Sequence, residues 1–165
     1  MAYPVDPTKY PVSTPYGVRG PRWSSGHHEG VDFACPVGTR VYAPIDGVCV
    51  GTGTTWGSAF GRHQVVIQIS KNEYLLFAHM KADYVKSGDR IKAGTLIGLS
   101  GAEGNVSGPH LHMELQNHNL WHRGAGVNPQ KVLDYVPLTP VFYGPPAAAK
   151  AAAKAPAKKS AAKKN

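Results

Sequence analysis

Between residues 30 and 116 no stretch carries apolar residues at helical spacing over three turns. The apolar residues instead fall into short runs closed off by glycine. That punctuation excludes a helical bundle and predicts a mainly β domain with strands at 30–34, 39–43, 47–51, 64–70, 74–79, 90–93, 95–100 and 110–116. Gly38, Gly47, Gly88, Gly94, Gly101 and Gly108 lie between these runs or at their edges, where tight turns are needed. Residues 128–136 predict a short closing helix, since Asn128 suits the cap and Pro129 the first helical position.

A chain of 165 residues, 42% of them apolar, has enough material for one core without a disulfide framework. Its two cysteines, Cys35 and Cys49, are therefore expected as free, buried thiols. No run approaches a membrane span, and residues 1–10 lack the basic start and apolar core of a secretory signal, so the chain is expected to be made soluble. The net charge is +8, but residues 147–165 hold six lysines and no acid, leaving twelve basic against ten acidic residues elsewhere. The body thus offers no concentrated basic stripe, and nucleic acid is not an expected partner. The Lys/Ala tail has nothing to bury and is expected to be disordered. Pro137, Pro140, Pro145 and Pro146 mark a linker before it, giving an organisation of 1–27 (leading segment), 28–138 (domain), 139–146 (linker) and 147–165 (tail).

Eight histidines are many for this length. His28 and Asp32 sit where a turn enters a strand. His110 and His112 are two apart in a strand and so share a face. His79 ends an apolar strand. Each signal alone is weak, but two His and one carboxylate make a three-ligand zinc set with a fourth position open to water, and two further His remain for proton transfer.

The segments STPYGVRG, HEGVDFACPVGTRVYAPIDGVCV, YLLFAHM, VKSGDRIKAGTLIGLSG and SGPHLHMEL, in that order and spacing, resemble the M23 (lysostaphin/LytM-type) zinc metallopeptidases, over about Pro11 to Leu133. The resemblance implies an antiparallel β-sheet groove of the barrel-sandwich hybrid type with long flanking loops. It implies one zinc held by His28, Asp32 and His112, with His79 and His110 catalytic, and cleavage of peptide cross-links in bacterial peptidoglycan. Either His79 or His110 is the general base, the other donating to the oxyanion. The alternative is a silent LytM-type module that binds peptidoglycan without turnover, although such relatives usually lack a ligand and this chain lacks none. A lipoyl or biotin carrier, suggested by the hairpin VKSGDRIKAGTLIGLSG, leaves the His and Asp set unexplained.

Trp56 and Trp121, in loops 51–63 and 116–128, are expected substrate contacts, and Glu114 is placed by strand parity to orient an imidazole. His27 is expected to be exposed, and His63, His118 and His122 to lie in loops. Arg62 and Phe77 depart from the family's usual Asn and Tyr, which bears on groove polarity. Residues 1–27 hold no Asn to block the zinc position, leaving only Asp6 as a substitute plug. A wall-cutting chain with no export signal and a basic tail most resembles a phage endolysin or virion lysin, made in the host cytoplasm and reaching the wall after holin release or from the virion. Its tail would be drawn to anionic wall polymers.

Overall fold

The computed structural model describes residues 3–119, 121 and 123–133; the expected domain end near Leu138, the linker, the tail and His122 lie outside them. The architecture is two antiparallel sheets with one core between them. The larger has eight strands: β1 (Val12–Thr14), β2 (Gly30–Phe33), β4 (Gly47–Gly53), β5 (Gln64–Ser70), β6 (Glu73–Ala78), β8 (Arg90–Ile91), β10 (Leu111–Gln116) and β11 (Gly126–Val127). They run in the order β1-β2-β10-β6-β5-β4-β8, with β11 added to the end of β10. The smaller sheet is β3 (Arg40–Tyr42), β9 (Leu96–Leu99) and β7 (Ala82–Asp83), in the order β3-β9-β7. Neither sheet closes into a barrel. One α-helical turn, α1 (Gln130–Leu133), lies within the expected 128–136, and Asn128 Oδ1 accepts the Gln130 amide as a cap should.

Strand alternation explains how the large sheet divides its two faces. Val31 and Phe33 of β2, Leu111, Met113 and Leu115 of β10, Leu75 and Phe77 of β6, and Val65 and Ile67 of β5 all point inward with Val41 and Ile97 of the smaller sheet. The alternate residues, Asp32, His112, Glu114 and Gln116 among them, stand on the opposite face. There Val66, Leu76, Ala78 and Trp56 form a second, smaller apolar cluster. Phe77 is fully buried in the main core, so its departure from the family pattern leaves the groove unaltered.

Several expectations are corrected. Strand β4 runs two residues past the expected 47–51, because a bulge between Cys49 and Gly51 restores its pairing with β5. The expected strand ends at His79 and His110 fall outside β6 and β10: His79 sits in a bend just past β6, and His110 makes an isolated antiparallel bridge to Gly101 just before β10. Strands β1, β7 and β11 were not expected. The N-terminal segment is part of the packed unit: Val5 is fully buried, Pro4 accepts the Tyr42 amide, and β1 pairs with β2. Cys35 and Cys49 are buried and free.

Candidate active site

The site grows from the register of the two central strands. Asp32 of β2 lies directly across from His112 of β10, which on its other side faces Ala78 of β6. His28 enters from the segment before β2, His110 from its bridge to Gly101 just before β10, and His79 from just past the end of β6. His79 has φ 61°, the one positive value among the described non-glycine residues. A residue with a side chain adopts this backbone angle uncommonly, and here it accompanies an imidazole that lines the groove.

Three ligand atoms converge. His112 Nδ1 is 2.8 Å from Asp32 Oδ1 and 3.2 Å from His28 Nε2, and His28 Nε2 is 3.2 Å from the same Asp32 oxygen. Tetrahedral ligation at the usual zinc distances, near 2.0–2.1 Å, would set its ligand atoms about 3.3 Å apart, so this triangle is nearly the right size for the ion.

The far nitrogens fix the tautomers. His28 Nδ1 lies 3.1 Å from the Pro15 carbonyl, and His112 Nε2 lies 3.0 Å from Glu114 Oε2. A carbonyl and a carboxylate only accept, so these nitrogens donate, and His28 Nε2 and His112 Nδ1 are the atoms that face the centre, His112 Nδ1 donating to Asp32 until a metal takes the proton's place. The same logic holds for the other two rings. His79 Nδ1 donates to the Glu103 carbonyl at 2.7 Å and His110 Nδ1 to that of Gly108 at 2.9 Å, leaving each Nε2 as an acceptor. The two rings are 4.7 Å apart, and His110 Nε2 is 3.8 Å from Asp32 Oδ1.

Burial alone would raise the pKa of Asp32, yet hydrogen bonds and charge from His112 and His28 hold it far below the usual carboxylate range. Burial also disfavours a charged His112, but Asp32 and Glu114 outweigh it and push the ring up to about 9. His79 moves the other way: burial, reinforced by the neighbouring His112, lowers it to about 4.

Glu114 is buried and fully engaged. Besides His112 it accepts the Trp121 indole N–H at 3.1 Å and the Gln116 amide. Gly30, opposite Glu114, leaves the space for the imidazole: a Cβ there would stand 2.6 Å from His112 Cε1.

A groove of about 1020 Å³ opens over these groups. Trp56 and Trp121 both line it. Trp56 is buried, with its indole N–H donating to the Asn119 carbonyl. Two wall aromatics escaped the sequence reading: Phe60 lies 5.9 Å from the His112 ring and Trp23 lies 5.2 Å from that of His28. Their only local signals are the flanking Gly57 and Gly61 for Phe60, and Gly20 for Trp23. The remaining expected residues lie elsewhere. His27 is half-buried beside Tyr16 rather than exposed, because the Arg19–His27 bridge folds its loop back. His63 bonds Asp83, and Arg62 pairs with the Glu103 carboxylate. Asp6 accepts two hydrogen bonds from Thr8 within its own turn.

The model of Peptidase family M23 matches residues 26–129. The peptidoglycan DD-endopeptidase ShyA of Vibrio cholerae is 41% identical over 104 residues, which is 63% of this chain and 22% of ShyA. This chain thus spans about a fifth of that relative's length. Among solved structures, the catalytic domain of the antimicrobial peptidase lysostaphin from Staphylococcus simulans superposes with a TM-score of 0.67 at 31% identity, covering 77% of this chain and 94% of that one. The catalytic domain of a prophage-encoded M23 protein, EnpA, from Enterococcus faecalis gives 0.63 at 29% identity, covering 78% and 95%.

Proposed function

This chain belongs to peptidase family M23, and on that premise we propose that it is a zinc-dependent endopeptidase that hydrolyses peptide cross-links of bacterial peptidoglycan. The observation that carries the reading is the triangle of His28 Nε2, Asp32 Oδ1 and His112 Nδ1, in which each imidazole is held by its far nitrogen so that its near nitrogen faces the centre. Zinc held there would polarise the scissile carbonyl and make a water nucleophilic near neutral pH.

The residues of the chain divide the proton work. His110, with Asp32 at 3.8 Å to stabilise an imidazolium, accepts the proton of the attacking water at Nε2 and returns it to the leaving amine. His79 is buried and lowered to about 4, so it stays neutral at pH 5–8. Its Nε2 accepts the water's other hydrogen and sets the angle of attack. This supports His110 as the base; the oxyanion-donor role expected for the other histidine would require His79 to carry a second proton.

The phage-lysin setting expected from the sequence is part of the proposal, supported by the prophage-encoded relative of the same fold. So is attraction of the basic tail to anionic wall polymers, supported by its six lysines.

The test is digestion of purified peptidoglycan by zinc-loaded protein, with and without a chelator, and mass spectrometry of the released fragments. Chelator-sensitive appearance of new peptide termini is the expected result. Intact walls of several chemotypes, in protein that retains one zinc, would leave a silent binding module.

A further inference from the structure

The wall of the groove beside His28 is built by residues 19–27, which fold on themselves. Gly20 N–H donates to the Gly26 carbonyl, Gly26 N–H to that of Trp23, and Arg19 bridges to His27. Within this loop Trp23 is fixed from two sides. Its ring lies 5.2 Å from the His28 imidazole, and a Cβ at Gly20 would stand 3.0 Å from it. The Arg22 guanidinium in turn lies 5.2 Å from the Trp23 ring centroid, in cation–π contact. A stack runs from the metal ligand through an indole to a cation.

Among the described residues that line the groove, Arg22 is the one Lys or Arg. It is exposed, and no described carboxylate lies within ion-pair distance of it. The groove's acids are engaged with other partners. Glu29 accepts the amides of Gly124 and Gly126, Glu114 is held by its three donors, and Asp32 serves the histidines. The segments 56–60 and 105–109, which also line the groove, contribute no charged side chain. A planar cation resting on an aromatic, with no described carboxylate beside it, presents two parallel N–H donors.

We infer that Arg22, carried on Trp23, is a subsite for a free carboxylate of the substrate, so that the groove selects anionic stem peptides over their amidated counterparts. The inference takes its ligand class from the peptidoglycan reading above, and binding tests it separately from turnover.

The probes are an uncross-linked stem tetrapeptide with free carboxylates and the same peptide with its carboxylates amidated. Neither contains a cross-link to cut. Binding to the full zinc-loaded chain is followed by tryptophan fluorescence at low salt. The acid form should bind about tenfold tighter than the amide, with a preference that fades as salt rises. Arg22→Gln, at an exposed position, should bind both forms alike, and Arg22→Lys should retain part of the preference. Equal binding of the two forms by the parent chain would overturn the inference. So would a preference that survives in Arg22→Gln, which would place carboxylate recognition at the metal. Wall digestion run in parallel separates the two readings. An Arg22-dependent preference without fragment release removes the peptidase reading alone, and fragment release blind to the carboxylate removes the Arg22 subsite alone.

Discussion

Replacing Glu114 by Gln tests whether the carboxylate behind His112 sets the metal site. Glu114 Oε2 receives the His112 Nε2–H at 3.0 Å, while Oε1 receives the Trp121 indole at 3.1 Å together with the Gln116 amide, all with the carboxylate 1% exposed. A Gln keeps the shape but turns one of these acceptors into a donor. If its oxygen stays on His112, its NH2 confronts two donors, and leaving one buried donor unpaired costs about 1–3 kcal/mol of folding stability. If its oxygen turns to Trp121, His112 loses its anchor and Nδ1 is no longer held as the ligand atom. In either case the carboxylate charge that raises the basicity of the ring is gone, and partners of this kind change metal affinity by roughly 10- to 100-fold. The assay is zinc competition against a chromophoric chelator, with thermal unfolding of the zinc-free and zinc-loaded protein alongside. The expected result is a weaker zinc constant by that factor and a smaller stabilisation by zinc. A Gln variant that is less stable but binds zinc as tightly as the parent would refute the reasoning and reduce Glu114 to packing.

Three further outcomes follow from the same geometry. Gly30→Ala drives a Cβ to 2.6 Å from both His112 Cε1 and the Met113 carbonyl, so it should cost about 1–3 kcal/mol and weaken zinc binding; Gly108→Ala, with no atom within 4 Å of the new Cβ, should leave thermal stability and zinc affinity unchanged. At position 79, where φ is 61°, the Gly variant should be more stable than the Ala variant by about 1 kcal/mol, measured by denaturant unfolding, while both lose on the order of 10²-fold or more in wall digestion. His112, raised to about 9, contributes stability to the zinc-free protein that is fully present below about pH 6.5 and lost as pH rises through about 9. Zinc must displace that proton, so calorimetry at pH 7.5 in buffers of differing ionisation enthalpy should show about one proton released per ion, with apparent affinity rising up to about pH 9. Zinc binding without proton release would contradict this assignment.

The sequence showed most clearly what repeats along the chain. Strand β5 was expected end to end, because 64–70 is a short, β-branched apolar run with clear bounds. The strands at 30–34, 39–43, 90–93 and 95–100 came out shorter, since bulges and turns at sheet ends depend on partners rather than on local pattern. Strands β7 and β11 hold two residues each and exist because an edge was available for pairing, which no local composition announces. In the site, spacing put His110 and His112 on one strand face and His28 four residues before Asp32, while the choice of these with His79 as one set rested on the resemblance to the M23 peptidases. Spacing does not show which ring nitrogen faces inward. That depends on the carbonyls of Pro15, Glu103 and Gly108, which reach the site from other segments. Trp23, Phe60 and Arg22 were missed for the same reason: an aromatic or a cation in a loop becomes a wall only when the loop folds onto the sheet.

The division between strands and loops has a practical consequence. The ligand triangle hangs largely on β2 and β10, locked in register from Leu111 opposite Phe33 to Glu114 opposite Gly30, whereas the groove walls come from the segments around 22–25, 56–60 and 105–109 and from Trp121. Whole loops from a donor scaffold can therefore be grafted and screened for the proposed wall-peptide cleavage without touching the strands that carry the ligand triangle. Gly30, Glu114 and the Pro15 carbonyl are the three places where a graft must not intrude.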